Sequence, residues 1–251
     1  MIEGFLPLVL GADEIGWVRR DLLGRLRAWP GLFEISDREI RLQPAEVSAL
    51  SAAFVQVARS LADAGAVRGW RGETYAVCAK EGGTPLFHLE RAAMRFFGLT
   101  SSAAHLNGYV MEKNTPNIWI ARRAATKAID PGMLDTLVGG GVPSGEDAWR
   151  TLLRECAEEA AIPVALAEQA RPAGILRVCR EVPEGLHSEI LYVYDLALPA
   201  GFKPHNVDGE VSEFLSLKPA PLVERIARGE MTVEAGLVAA DFLQRRGFIS
   251  P

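Results

Sequence analysis

Residues 139–162, GGGVPSGEDAWRTLLRECAEEAAI, place four glutamates and one aspartate in or beside a segment that opens with three glycines. The segment predicts one helix. Ser144 suits the N-cap of this helix, and Asp147, three residues later, takes the capping-box position. A stripe of apolar and small side chains, which we expect to pack on the core, follows at helical spacing: Trp149, Leu152, Leu153, Cys156, Ala157 and Ala160.

The acidic side chains form a second arc on the same predicted helix. Glu155, Glu158 and Glu159 share roughly 100° of its circumference. Like charges at i,i+3 and i,i+4 each destabilise a helix by roughly 0.2–0.5 kcal/mol, so this arc requires full solvation or a bound cation. Solvation is the commoner explanation of an acidic face, but the neighbouring glycines favour the cation. Because Mg²⁺ is typically held by a few carboxylates together with substrate phosphates, we expect Mg²⁺ here, with Mn²⁺ as the alternative.

The spacing of this segment resembles the Nudix box, which reads Gly, five residues, Glu, seven residues, Arg-Glu, apolar, any, Glu-Glu, any, Gly, apolar. One position departs from it: Ala161 stands where the family has its last glycine. That glycine ends the helix in a left-handed conformation, which costs a non-glycine residue about 1–2 kcal/mol. The departure affects the helix end and none of the metal ligands. The matching residues are Gly140, Glu146, Arg154, Glu155, Cys156, Glu158, Glu159 and Ile162.

The resemblance extends over nearly the whole chain. It covers segments such as GWRGETYAV (69–77), ERAAMRFFG (90–98), IWIARRAATK (118–127) and DGEVSEF (208–214). These resemble Nudix hydrolases that carry an extra N-terminal domain and are related to the Nudix portion of fungal thiamine pyrophosphokinase. The resemblance implies an α/β fold: a Nudix α/β/α sandwich with a mixed sheet over residues 105–251, preceded by a smaller α+β domain over residues 1–104 that shapes the substrate pocket.

The resemblance also implies the reaction, which is hydrolysis of a diphosphate linkage in a small organic molecule. Thiamine diphosphate or its oxidised forms are the expected substrates, and the products are the monophosphate and phosphate. A nucleoside diphosphate derivative such as ADP-ribose is the alternative substrate. A non-catalytic Nudix binding module is less favoured, because such a module is expected to lose the metal-binding glutamates and this chain keeps them.

The resemblance assigns roles to individual acids and to one arginine. Catalytic roles go to Glu155, Glu210 and Arg154, and the metal ligands are Glu155, Glu158, Glu159 and Glu210. Arg154 orients a glutamate by a charge-assisted hydrogen bond, and Glu146 is a supporting acid. The water-activating base or extra ligand comes from DGEVSEF, where Glu210 is preferred and Glu213 is the second choice.

Other residues are candidates for contact with the substrate. Arg122, Arg123 and Lys127 lie just before the glycines and suit a diphosphate clamp, although solvated charges at a strand end are an equal explanation. Gly140 and Gly141 complete the expected substrate-binding set. Three aromatic residues suit stacking on a heteroaromatic ring but fit the core better, namely Trp70, Tyr75 and Trp119.

The pattern of apolar residues outside this segment predicts further elements. Residues 1–104 contain helical spacing at 14–29 and 44–65 and strand-like segments at 32–42 and 73–80. The second region contains strand-like segments at 105–112, 117–123 and 188–198, and helical segments at 221–229 and 232–246.

Composition excludes several classes of protein. The chain has 251 residues, a formal net charge of -5 and a pI near 5.5, so we expect no nucleic-acid partner. The apolar run at the N-terminus is too short to span a bilayer, so we expect no membrane association. Cys78, Cys156 and Cys179 form no C-x-x-C pair, which argues against a disulfide framework and a zinc site. We expect a cytoplasmic protein that binds a small-molecule diphosphate, and a homodimer is compatible with the sequence.

Overall fold

The computed structural model describes residues 2–250, which form two compact units. One unit takes in the residues up to Ser101 together with Pro143–Gly145 and Arg177–Glu189. The other takes in Ser102–Val142, Glu146–Leu176 and the chain from Ile190 onward. The domain boundary between residues 104 and 105 stays a prediction.

The first unit is α+β. Its sheet has the strand order β2-β1-β4-β3, with β1 and β4 parallel and the other pairs antiparallel, and β5 and β6 form a separate antiparallel pair. Two 3-10 turns accompany these elements. The bounds are β1 Phe5–Leu10, β2 Asp13–Arg19, α1 Leu23–Leu26, β3 Phe33–Ile35, β4 Ile40–Leu42, α2 Val47–Asp63, β5 Thr74–Cys78 and β6 Pro85–Glu90.

An aromatic cluster forms the centre of this unit. Phe54 of α2 stacks on Phe87 of β6, with ring centroids 4.1 Å apart, and meets Phe97 edge-on at 5.2 Å. All three rings are fully buried. Burial of such side chains stabilises the fold by roughly 1.5–3 kcal/mol each. The predicted helix at 44–65 is confirmed by α2, whose apolar face supplies Phe54.

The predicted helix at 14–29 is wrong over its first half. Residues 13–19 form β2, which pairs with β1, and only the four residues of α1 are α-helical. The Trp17 N–H donates to the Phe97 carbonyl at 2.9 Å, and a Cβ added at Gly16 would lie 2.5 Å from that oxygen. These contacts come from distant parts of the chain, so they override the local helical spacing.

The second unit contains most of a seven-stranded sheet flanked by helices. The strand order is β11-β12-β7-β8-β13, with β10 paired to β7 and β9 paired to β8. The bounds are β7 Thr100–Glu112, β8 Thr115–Arg123, β9 Leu134–Thr136, β10 Val138–Gly141, α3 Ala148–Ala160, α4 Val164–Ala167, β11 Arg171–Val182, β12 Gly185–Ala197, β13 Val211–Leu217, α5 Pro219–Ala227 and α6 Val233–Arg245.

Helices cover both faces of this sheet. Leu106 of β7 packs with Leu152 and Cys156 of α3, whereas Tyr109 packs with Phe242 of α6. Residues of opposite parity on a strand point to opposite faces, so α3 and α6 lie on different sides. The sheet between helices confirms the expected α/β sandwich, and the strand and helix predictions for this region are confirmed. None of the helices formed by residues 2–250 is long and apolar enough to cross a bilayer.

Candidate metal and diphosphate site

Helix α3 begins one turn later than the sequence suggested. Its N-cap is Asp147, whose carboxylate accepts a hydrogen bond from the Arg150 N–H at 2.8 Å. The prediction of Ser144 as the N-cap is wrong. Ser144 belongs to the first unit, where its hydroxyl lies 2.7 Å from His88 Nδ1 and its N–H donates to the Thr74 carbonyl. The residue after it, Gly145, has φ +89° and separates the serine from the helix.

The helix ends where the box requires it to end, although alanine replaces glycine. Ala161 has φ 50° and ψ 35°, which is the left-handed conformation. The carbonyl of Cys156 accepts hydrogen bonds from the N–H groups of Ala161 and Ile162, the latter at 2.9 Å. This pattern closes the helix and fixes the position of the acids in its last turn.

The buried face of α3 is rotated from the predicted stripe. Leu152, Cys156 and Ala160 are fully buried, but Ala157, which we expected to pack, is exposed. Glu159 is buried instead, because its carboxylate turns toward β10. Burial, with added repulsion from the neighbouring glutamates, raises the pKa of the Cys156 thiol to about 12, so this free cysteine is an unreactive core residue.

Glu159 is the most enclosed acid of the helix, with 8% of its surface exposed. Its Oε2 accepts a hydrogen bond from the Gly139 N–H at 2.9 Å. Burial, followed by the charge of Glu155, raises the pKa of Glu159 well above its ordinary value, and Asp135 adds to this effect. A buried carboxylate beside another carboxylate is costly to ionise, so this position calls for a cation.

The glycines of β10 allow the strand to approach these acids. A Cβ at Gly140 would lie 2.3 Å from Glu155 Oε1, so only glycine leaves room for this carboxylate. Burial raises the pKa of Glu155; the Arg154 guanidinium opposes the shift, and Glu158 and Glu210 add to it. Strand β10 pairs with β7, and Gly141 is half-buried next to Gly140.

Arg154 forms hydrogen bonds with three acidic side chains. Its Nη1 donates to Glu155 Oε1 and to Glu158 Oε2, each at 2.9 Å. Its Nε and Nη2 reach the two oxygens of Glu146, each at 3.2 Å. The buried Thr151 hydroxyl donates to Glu146 Oε2 at 2.8 Å. Sequence reasoning missed Thr151, and its only signal is a hydroxyl at a buried helical position.

The acids offered by DGEVSEF occupy different surroundings. The Glu210 carboxylate forms an ion pair with Lys127, and its charge acts on Glu155. The Lys127 charge in turn acts on Glu159, so both residues lie near the buried acids. Glu213 instead accepts a hydrogen bond from Arg122 Nε at 2.8 Å.

The three basic residues predicted to bind the diphosphate also differ in their surroundings. Arg122 also donates to the Gly132 carbonyl at 3.0 Å. Arg123 pairs with Asp135 at 2.8 Å and donates to the carbonyls of Ile129 and Asp130. These arginines therefore hold the loop between β8 and β9, and Lys127 is the cation of the three that acts on Glu159.

Two families match this chain. Residues 2–101 match the domain of unknown function DUF4743, and residues 105–235 match the NUDIX domain. The chain belongs to the Nudix hydrolases. Nudix hydrolase 20, chloroplastic, of Arabidopsis thaliana is 33% identical over 98% of this chain and 69% of its own length. Nudix hydrolase 24, chloroplastic, of the same plant is 32% identical over the same shares.

A solved structure shares the fold of this Nudix hydrolase. A crystal structure from Deinococcus radiodurans superimposes with a TM-score of 0.52 and 24% identity, covering 68% of this chain and 98% of that chain. The match supports the Nudix fold. The family match and the two Arabidopsis relatives confirm the prediction of a Nudix hydrolase, and the link to the thiamine-related group stays a prediction.

The acids of this Nudix hydrolase fit a hard divalent cation by their chemistry. The candidate ligands are all carboxylate oxygens, which Mg²⁺ and Mn²⁺ prefer. Within residues 2–250 no three acidic, histidine or cysteine side chains already converge on one point, and Arg154 holds Glu155 and Glu158 instead. The Glu155 and Glu159 carboxylates, which repel each other and face Gly140 and Gly139, are the candidate ligands for such a cation.

The aromatic candidates for stacking have structural surroundings. The Arg59 guanidinium lies 3.9 Å from the ring centroid of Trp70. Tyr75 is buried in the core of the first unit, and Trp119 is half-buried against the core on the α3 side of the Nudix sheet. Tyr75 and Trp119 fit the expectation that strand aromatics belong to the core, whereas Trp70 lies outside the strands and is half-buried against the core of the first unit.

Proposed function

We propose that this Nudix hydrolase uses Mg²⁺ or Mn²⁺ to hydrolyse a diphosphate linkage in a small organic molecule. One observation carries the proposal: the half-buried Glu155 and the buried Glu159 face neighbouring glycines of β10, and Glu159 accepts a hydrogen bond from a backbone N–H but pairs with no guanidinium among residues 2–250. Two such carboxylates are stable in ionised form only beside a cation.

The residues divide the work as follows. Glu155 and Glu159 would hold the metal, with Glu158 and Glu210 as further ligands. When bound, the metal neutralises the phosphates and makes water a better nucleophile. Arg154 keeps Glu155 and Glu158 in place through its two 2.9 Å hydrogen bonds.

Lys127 and Glu210 act together in the proposed reaction. Lys127 pairs with Glu210 in the structure. In the proposed reaction Lys127 would turn to a phosphate oxygen of the bound substrate. One oxygen of Glu210 is then released to accept the proton of the attacking water. Gly140 and Gly141 leave space for the diphosphate beside β10, whereas Arg122 and Arg123 contribute by holding the loop that carries Lys127.

The substrate that we propose is thiamine diphosphate or one of its oxidised forms. The support is the resemblance of segments spread along the chain to thiamine-related Nudix hydrolases, and the domain over residues 1–104 is proposed to recognise the organic half. ADP-ribose is the alternative. We also propose a cytoplasmic location from the cysteine usage, while the word chloroplastic describes the two Arabidopsis relatives.

The test compares kcat/KM of the full-length protein with Mg²⁺ for oxidised thiamine diphosphate, thiamine diphosphate and ADP-ribose. Phosphorus NMR identifies the products, since a terminal diphosphate gives inorganic phosphate and ADP-ribose gives two organic phosphates. A preference for ADP-ribose above about tenfold, or 1.4 kcal/mol, would overturn the thiamine assignment and keep the chemistry. Hydrolysis of none of the three by folded, metal-saturated protein would contradict the proposed substrate classes altogether.

A further inference from the structure

An open cleft of about 490 Å³ lies in the second unit, between the start of β11, the end of β12 and the end of α6. Three arginines contribute to its lining, Arg171, Arg245 and Arg246, together with Tyr109 and Asp195. The protein carries a net charge of -5, so three guanidinium groups around one cleft are a local exception. Cationic clefts concentrate anionic ligands.

The cleft is separate from the acids of α3. It shares no lining residue with that site. Gly139 pairs with His105 on β7, and Tyr109 lies four residues further along this strand. At a strand rise of about 3.4 Å per residue, this spacing places Tyr109 about 13 Å from His105. A ligand in the cleft is therefore not the diphosphate held near Glu159.

One of the three arginines is committed to the protein. Arg245 donates to both oxygens of the buried Asp195, at 2.6 and 3.1 Å, and to Asp241 at 2.7 Å. Asp195 also accepts a hydrogen bond from Asn107 at 3.0 Å. The charge of Arg245 is thus fully used, the two acids leave this network with one excess negative charge, and the network forms a fixed wall of the cleft.

The other two arginines keep donors available. Arg246 donates to the Tyr109 hydroxyl at 2.6 Å and lies over its ring, but its side chain is 37% exposed and Asp195 is 4.0 Å away. Arg171 is exposed and forms no ion pair with an acid among residues 2–250. The excess acid of the Arg245 network offsets one charge and the carbonyl end of α6 about half a charge more, so the guanidinium groups of Arg171 and Arg246 leave the cleft slightly positive.

The geometry points to a second ligand site: we propose that this cleft binds a small organic anion through Arg171 and Arg246. The anionic group is a phosphate or a carboxylate, because a guanidinium presents paired N–H donors that match two oxygens of either group. Pro172 and Leu196 line the same cleft and offer apolar surface to the body of the ligand. This inference does not depend on the proposed hydrolysis.

The test measures binding of two probes, phenylphosphate and benzoate, to the full-length protein in EDTA by isothermal titration calorimetry. We expect saturable binding by the wild type, weakened about tenfold in Arg171→Gln and in Arg246→Gln. Arg171→Lys keeps the charge and loses the paired donors. Its affinity for the probes should lie between that of the glutamine variants and that of the wild type. Arg228→Gln removes a comparable exposed arginine from the end of α5 and should bind as the wild type does.

Several outcomes separate this proposal from its alternatives. Whichever probe binds more tightly identifies the anionic group as phosphate or carboxylate. Equal affinity in Arg171→Gln and the wild type would overturn the proposal, and so would the absence of saturation below about 10 mM of either probe. Loss of binding in Lys127→Gln with full binding in Arg171→Gln would assign the probe to the region near the acids of α3. Arg171 has no ion pair to lose, so its variant should fold normally, which circular dichroism checks.

Discussion

The acids within α3 and just before it fall into two groups that differ in what balances their charge. On one side, Glu146 and Glu158 bind the guanidinium of Arg154. On the other side, Glu159 lies buried against the glycine strand with one backbone N–H as its donor. Glu155 belongs to both groups, since it contacts Arg154 and faces Gly140. Position on one helix therefore does not decide the role of a glutamate; its partner does.

The largest effect is expected from Glu159→Gln, which changes the acid that is buried against the glycines of β10. The amide oxygen can still accept the Gly139 hydrogen bond, so the fold should persist, but the loss of a charged ligand should lower kcat by on the order of 10² or more. Steady-state kinetics with saturating Mg²⁺ measure this. Mg²⁺ should also raise the Tm of the wild type more than that of the variant, because an ion that binds the native state stabilises it.

The matched control for this variant is Glu158→Gln, which changes an acid that binds Arg154. Glu158 is half-exposed and balanced by Arg154, so we expect a loss of kcat well below that of Glu159→Gln. Equal losses in the two variants would remove the distinction between the two groups. Near-normal turnover of folded, metal-saturated Glu159→Gln would show that the metal lies elsewhere.

Gly140→Ala tests the close approach of β10 with a single methyl group. The new Cβ would lie 2.3 Å from Glu155 Oε1, so the carboxylate must move while the strand keeps its pairing. We expect a loss of kcat of about tenfold and a higher Mg²⁺ requirement, since small misplacements of catalytic groups are costly. Gly201→Ala, where a Cβ would meet nothing within 4 Å, is the control. Unchanged Mg²⁺ dependence in Gly140→Ala would contradict a ligand role for Glu155.

A smaller effect on activity is expected from Thr151→Val, which alters the group of acids that bind Arg154. The change removes the hydroxyl that donates to Glu146, at a cost of about 1 kcal/mol of stability, because Glu146 is half-buried and keeps its hydrogen bonds from Arg154. Arg154 then loses part of its support, and the Mg²⁺ concentration for half-maximal activity should rise several-fold. Thr151→Ser keeps the hydroxyl and should restore the Mg²⁺ response. If both variants raise the Mg²⁺ concentration for half-maximal activity equally, Thr151 acts through packing alone.

The spacing of charged residues made much of the site predictable, because a helix fixes the order of its side chains. Glu146 and Arg154 stand eight residues apart in the sequence and meet in the structure through two hydrogen bonds. Thr151 and Asp135 escaped prediction, since their influence depends on burial and on contacts with other elements. The sequence predicts Glu159 on an acidic arc that binds a cation, but its burial against Gly139 depends on strand pairing that no local pattern describes.

The fold shows the same division between local and distant causes. The apolar residues of α2 and α6 recur at helical spacing within each segment, so both helices were predictable from the sequence. Strand β2 was not, because its hydrogen bonds run to β1 and to the Phe97 carbonyl. The start of α3 was misplaced for a similar reason: Ser144 is held by His88 and Thr74 in the first unit, and Asp147 caps the helix.

The end of α3 provides the smallest predicted effect, and it concerns stability rather than activity. Ala161 adopts φ 50°, where an L-residue pays about 1–2 kcal/mol relative to a right-handed helix. Glycine avoids this strain but has a more flexible unfolded chain, which costs about 0.5–1 kcal/mol. Ala161→Gly should therefore raise the free energy of unfolding by about 0.5–1 kcal/mol, measured by chemical denaturation, and leave kcat unchanged.

Ala157→Gly is the matched control for the helix end, because Ala157 is exposed within the same helix in right-handed conformation. Glycine there should lower the free energy of unfolding by about 1 kcal/mol. The two substitutions exchange the same side chains four residues apart, so opposite signs can only come from the backbone conformation at residue 161. A loss of stability in Ala161→Gly equal to that in Ala157→Gly would mean that the helix does not end in a left-handed residue. The Nudix box would then lack its terminating turn in this chain, and Glu159 would be held in place by Gly139 rather than by the end of the helix.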